Sequence, residues 1–177
     1  MSVFVIITAI GAKDRPGIIA AITGAVYESG GSLDDATMTR LHGAFANMLS
    51  ARLPSESSVV ALRSALEDVA ARLDLHVSVD PIPDKNITEA RREAPPDHLI
   101  TVYGADKPGI VHRVATLLAA HGANITDMDT RLAGASEKPV YVMFLETAGG
   151  DWRGLAGAGA GVAPAQASVR SGGRSAG

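Results

Sequence analysis

The chain contains no cysteine. Disulfides, thiolate catalysis and cysteine-ligated zinc are therefore excluded. It also lacks any apolar run near the roughly 20 residues that span a bilayer, so no membrane role is expected. Its opening, Met1-Ser2-Val3-Phe4, lacks the basic stretch of a secretory signal, and the expected location is the cytoplasm. An excess of positive charge is missing too. The net charge is −3 with both signs mixed, whereas direct nucleic-acid binding needs a basic stripe. Five histidines occur, His42, His76, His98, His112 and His121, but none stands at the spacing of a metal-binding pair, so no metal is expected. No Ser-His-Asp signature, phosphate loop or dinucleotide fingerprint is present. Gly157-Ala158-Gly159-Ala160-Gly161 is rich in glycine, but no strand precedes it. The expectation is a protein without catalytic residues or cofactor, and not an enzyme.

What the chain does have is a repeat. Asp14-Arg15-Pro16-Gly17-Ile18 returns 92 residues later as Asp106-Lys107-Pro108-Gly109-Ile110. Upstream, Ile7-Thr8-Ala9-Ile10-Gly11-Ala12 parallels the stretch from Leu99 to Ala105. Downstream, Gly30-Gly31-Ser32-Leu33-Asp34-Asp35 parallels Gly122-Ala123-Asn124-Ile125-Thr126-Asp127. A motif that recurs with its flanks marks a duplicated domain, here of about 80 to 90 residues, a size that still folds independently.

Residues 3–10 form a β-branched apolar run that predicts a buried strand. Asp14 is placed to cap a helix, Pro16 to sit near its first position, and Gly30-Gly31 to stop it. Ile18, Ile22, Ala25 and Val26 recur at helical spacing between them. Residues 32–41 and 44–53 predict a hairpin turning at His42-Gly43, with Asp34-Asp35 interrupting its first strand. Leu62, Leu66, Val69 and Leu73 mark a second helix, and residues 76–79 a short last strand closed by Pro81 and Pro83. The order βαββαβ is the α+β, ferredoxin-like arrangement. The first domain is expected over 1–82 and a linker over 83–97, with a helical turn at 87–92. The second copy covers 98–148, with its strand at 99–103, a helix stripe of Ile110, Val114, Leu117 and Leu118, and strands at 124–132 and 140–147. There the repeat stops. Residues 149–177 are Gly/Ala-rich with few large apolar side chains, and read as a low-complexity tail. The second domain is thus expected to lack its last helix and strand, leaving its first strand as an open edge.

The motif itself suits a small ligand. A helix N-terminus offers free N–H groups and a positive dipole end to a carboxylate. Gly17 and Gly109 remove side-chain bulk there, and Asp14 and Asp106 can receive an ammonium. Ser32 and Asn124 open the next strand and add a hydroxyl or amide, expected beside the same helix end. Together these groups recognise an α-amino acid. The two aspartates are equally good helix N-caps, and both roles stay open. Asp35 and Asp127 match in register and read as solvated or capping residues.

Strand, Asp-Arg/Lys-Pro-Gly-Ile, helix, Gly-Gly/Ala, Ser/Asn-Leu/Ile, strand: over residues 1–148 this pattern resembles the ACT domain. The tandem arrangement resembles the glycine cleavage system transcriptional repressor family. The resemblance implies binding of an amino acid, glycine first, by Asp14, Gly17, Ile18, Ser32 and Leu33 in one copy and Asp106, Pro108, Gly109, Ile110, Asn124 and Ile125 in the other. It implies control of transcription, and because the chain carries no helix-turn-helix and no basic face, a DNA-binding protein partner is expected to carry it; exposed sheet edges make self-association expected as well. The alternatives are a ligand-independent interaction module and a detached regulatory domain of an amino-acid enzyme.

Overall fold

The computed structural model describes residues 2–83, 95–105, 107–133 and 140–151, and the backbone of 165–171. The chain divides into two compact units, Met1–Arg92 and Glu93–Gly177.

In the first unit β1 (Val3–Gly11), α1 (Ile18–Glu28), β2 (Ser32–Leu41), β3 (Ala44–Leu53), α2 (Glu56–Leu73) and β4 (Leu75–Ile82) follow in the expected βαββαβ order. The sheet runs β2-β3-β1-β4 and is antiparallel throughout. Alternate residues of the two central strands, Val5, Ile7 and Ala9 with Leu49, Ala51 and Leu53, meet Ile18, Ile22, Leu62 and Leu66 of the helices in one core. Each large side chain buried this way contributes about 1.5–3 kcal/mol. The continuous apolar run of β1 is buried on that side alone. Among the described residues of this unit no helix covers its other face, and Ile10 is 52% exposed and Met48 of β3 48%.

The turns follow from local chemistry. His42 and Gly43 both take positive φ, 53° and 87°, the two-residue turn whose twist matches a hairpin. The Ser55 hydroxyl caps α2 by accepting from the Ser58 N–H at 3.3 Å. Gly31 is required by close approach: a Cβ there would lie 2.7 Å from Leu53 and 2.9 Å from Val26. The interruption at Asp34-Asp35 is a β-bulge between Leu33 and Asp35, and the second copy repeats it between Ile125 and Asp127. β4 is longer than expected and runs through Pro81, which an edge strand tolerates because the missing N–H faces away from the ladder.

The second unit holds β5 (His98–Ala105), α3 (Ile110–Ala120), β6 (Asn124–Ala133), β7 (Val140–Ala148) and β8 (Ala165–Ser171). Ile100, Val102, Ile110, Val114, Leu118, Met143 and Leu145 form its core, with Leu117 partly buried against it. Its sheet order, β6-β7-β5-β8, corrects the expectation of a missing last strand. β8 lies antiparallel to β5, with Ala165, Ala167 and Val169 at the positions paired with Gly104, Val102 and Ile100. The tail alternates small apolar and polar residues there, Ala-Gln-Ala-Ser-Val-Arg-Ser, which is strand periodicity written in small side chains. The expected helical turn at 87–92 and most of the region of the missing helix lie outside the described residues.

Candidate functional site

Both repeated motifs place a glycine at the head of a helix. Gly17 is the N-cap of α1 at φ 94° and Gly109 that of α3 at φ 82°, and neither helix receives a side-chain cap. The left-handed conformation accounts for glycine at each position. Asp14 is therefore not the helix cap, and Pro16 precedes the cap rather than opening the helix. The first bond of the α1 ladder runs from the Ala21 N–H to the Gly17 carbonyl at 2.9 Å, and that of α3 from the Arg113 N–H to the Gly109 carbonyl at 3.0 Å. The N–H groups of Ile18, Ile19 and Ala20, and of Val111 and His112, lie ahead of those ladders. Neither first turn carries an acidic residue, so the positive dipole end is uncompensated from within. A Cβ at Gly17 would meet nothing within 4 Å, and one at Gly109 only the Arg113 guanidinium at 3.3 Å. α2 is the contrast, with a serine cap and Glu56 in its first turn.

The loops around the two glycines differ. In the first, the Asp14 N–H donates to the Gly43 carbonyl at 3.0 Å. The Asp14 carboxylate pairs with Arg40 at 3.4 Å, and the Arg15 guanidinium donates to the Leu73 carbonyl at the end of α2. Three elements thus hold this loop. In the second, Arg113 folds back toward the Pro108 carbonyl at 3.4 Å and Lys107 is exposed. Asp106 lies outside the described residues. Arg40, Arg15 and Arg113 escape a motif search because their roles depend on which strand end and helix end meet.

Ser32 and Asn124 are not beside these helix ends. The chain leaves α1 with the Gly31 N–H on the Val26 carbonyl at 2.9 Å and α3 with the Ala123 N–H on the Leu118 carbonyl at 3.0 Å. β2 and β6 therefore start at the C-terminal ends of their helices. An 11-residue helix spans about 16 Å, so within one domain Ser32 and Leu33 stand a helix length from Gly17, as do Asn124 and Ile125 from Gly109. Ile18 and Ile110 face the core. The Asp35 carboxylate accepts from the Ala36 N–H at 2.8 Å, a local turn contact.

Elsewhere, Asp97 bridges His98 Nδ1 at 2.7 Å and the Gly149 N–H at 3.3 Å. The His98 hydrogen bond, the largest influence, holds the Asp97 carboxyl below its ordinary range. Asp129 raises Arg131 by a hydrogen bond and its charge. A hollow of about 240 Å³ lies between α2 and β4, near Arg63, Leu66 and Val79, and the Gly17 loop does not line it. Among the described residues no group of side chains could hold a metal ion, and no helix is long and apolar enough to cross a membrane.

Comparison with known proteins agrees with this geometry. The ACT domain model matches residues 3–80 and again residues 98–151. The glycine cleavage system transcriptional repressor of Escherichia coli (strain K12) is 29% identical over 143 residues, covering 81% of this chain and 72% of the relative. The protein of the same name from Shigella flexneri matches equally. Both are named as regulators, not as enzymes. The fold recurs in a crystal structure of an unknown protein from Galdieria sulphuraria, at a TM-score of 0.77, 20% identity and coverage of 97% of this chain and 99% of that one. The chain belongs to the ACT-domain family, as a tandem ACT-domain protein that resembles the glycine cleavage system transcriptional repressor.

Proposed function

We propose that this protein is an amino-acid-sensing regulator. Its ligand is glycine or another small amino acid, and its output is transcription of amino-acid metabolism genes through a DNA-binding protein partner. One observation carries the reading: two helices begin at a left-handed glycine with neither side-chain cap nor acidic first turn, while α2 has both a serine cap and Glu56 in its first turn. An open helix N-terminus is a seat for a carboxylate, and the similarity to a glycine cleavage system repressor points to the class of ligand.

Self-association belongs to this reading. Within its own domain neither Ser32 nor Asn124 reaches the glycine loop, so another ACT domain has to supply it, and the source proposed is a second copy of the chain. Strands β2 and β6 are edges, and β2 is exposed along its whole length. The opposite edge of the first sheet is partly engaged: the Arg63 guanidinium donates to the Val79 carbonyl at 2.7 Å, and Pro81 offers no N–H. Edge-to-edge antiparallel pairing sets the start of one strand beside the far end of its mate, which brings Asn124 of one copy toward the Gly109 loop of another. An amino acid seated there favours one arrangement of copies, and the partner reads that arrangement.

A thermal-shift screen against the common amino acids tests the reading. A ligand at one hundred times its Kd stabilises by about 2.7 kcal/mol, so a millimolar screen detects weak sites. Selective stabilisation by glycine or a small neighbour is the expected result. No shift with any amino acid, in folded protein, supports the interaction module instead.

A further inference from the structure

One polar side chain of the first domain sits where the sheet asks for an apolar one. Asn47 lies on the helix-facing side of β3, between Phe45 and Leu49, and is 5% exposed. Its Nδ2 donates to the Thr37 carbonyl of β2 at 2.9 Å, which fixes the other branch of the amide as the oxygen. That oxygen, Oδ1, is buried and has no hydrogen-bond partner among the described residues. An unpaired buried acceptor costs about tenfold or more in the folding equilibrium. The fold itself does not require one here. Ala9 pairs with Asn47, and at the matching place in the second sheet Val102 pairs with Met143, which is fully buried.

The position of Asn47 shows where a donor would come from. Gly31 packs the end of α1 against β3, since a Cβ there would lie 2.9 Å from Val26 and 2.7 Å from Leu53. From Val26 back to Ile18 the helix rises about 12 Å. From Leu53 back to Asn47 the strand runs about 20 Å. α1 therefore starts short of Asn47, and Asn47 lies ahead of its first turn, on the side to which the free N–H groups of Ile18, Ile19 and Ala20 point. The Phe45 ring lies over Gly11 of β1, where a Cβ would meet it, and so is turned away from the β2 side of Asn47. Across the top, the Asp14 loop is held to Gly43 and Arg40. The Arg40 tie is an exposed ion pair, which holds little.

We infer that Asn47 is the floor of an amino-acid site in the first domain: the ligand's carboxylate takes the free N–H groups of α1, and its ammonium donates to Asn47 Oδ1. This deepens the functional reading above and rests on it. An α-amino acid carries an anionic acceptor and a cationic donor on one carbon, which matches a cluster of N–H donors set beside a lone acceptor. Phe45 and Leu49 flank Asn47 and are each 2% exposed, so the site takes a small amino acid, glycine first. Entry lifts the Asp14 loop, and binding closes it again. Asn47 is thus a binding residue that selects for the ammonium, and the instability of its unpaired oxygen is the cost of a site kept ready.

Amide resonances of the full chain, followed during titration with glycine and with acetate, decide the matter. Acetate has the carboxylate and lacks the ammonium. The side-chain NH2 resonances of Asn47 should shift saturably with glycine, in step with the backbone amides of Ile18 and Ile19. Acetate should need about tenfold or more concentration to move Ile18 and Ile19 equally, the worth of a hydrogen bond to a charged group. In Asn47→Met, which supplies the residue of the second copy, glycine should lose that advantage over acetate at Ile18 and Ile19, while the unfolding midpoint without ligand should not fall. Asn47 resonances that stay still while glycine saturates another part of the chain, or an advantage of glycine that survives in Asn47→Met, would each overturn the inference and leave the sensor reading standing. The Asn47 resonances are read in the unaltered protein, so they decide even where the variant fails to fold. Binding of no common amino acid anywhere on the chain would bring down the sensor reading and this inference with it.

Discussion

Gly17 and Gly109 are the residues on which the site turns, because each holds a backbone conformation that a side chain resists. With φ at 94° and 82°, alanine at either position should cost about 1–2 kcal/mol, measured by urea unfolding. At Gly17 the cost is purely conformational, since a Cβ has open space; at Gly109 the Arg113 guanidinium must also move. Gly31→Ala fails for a different reason, overlap with Leu53 and the Val26 backbone, and should cost about 1–3 kcal/mol. A pH effect belongs at this scale as well. Because the folded protein holds the Asp97 carboxyl low, through His98, the stability it contributes is present above the ordinary carboxylate range and is lost as the pH falls through it. Asp97→Asn should therefore lie below the unaltered protein in unfolding midpoint near neutral pH, and the two should converge in acid; a constant gap at all pH values would contradict this. The glycines and their spacing were legible from the repeat. Their role as caps in place of Asp14 was not, since an Asp-x-Pro-Gly run fits either geometry and only the backbone angle distinguishes them.

At the scale of elements, α1 carries Gly24 in mid-helix, where a Cβ would meet nothing within 4 Å. Gly24→Ala should raise stability by about 1 kcal/mol through helix propensity, read as a higher denaturation midpoint. Leu62→Ala, in the fully buried stripe of α2, should lower it by about 2–5 kcal/mol. The helix stripes were legible because large apolar residues at a period of 3.6 leave one face to bury. The hairpin was legible from His42-Gly43. β8 was missed because its residues are small: Ala165, Ala167 and Val169 supply the period of two without the bulk that usually announces a strand. That weakness has a measurable consequence. Amide protons of β8 should exchange with solvent faster than those of β7, and equal protection of the two strands would count against a lightly held edge. The distance between Ser32 and Gly17 was illegible for another reason. Matching offsets show that two copies are alike, but not that groups 15 residues apart in sequence lie at opposite ends of a helix.

For the whole molecule, the duplication was the most informative feature of the sequence, because two copies constrain each other's reading. The first unit buries residues from both α1 and α2 against its sheet, whereas among the described residues the second buries those of α3 alone. Urea unfolding should show two transitions, one for each compact unit; a single transition coincident by near- and far-ultraviolet circular dichroism would contradict independent units. The central claim, that an uncapped helix N-terminus receives an amino acid, is tested most directly by following backbone amide resonances during a glycine titration. The account predicts that the largest and saturable shifts fall on the two helix starts, Gly17, Ile18 and Ile19 in the first domain and Gly109, Ile110, Val111 and His112 in the second, with Asn124 moving in step if copies pair edge to edge. Saturable shifts confined to residues away from both helix starts, or none at all, would contradict it.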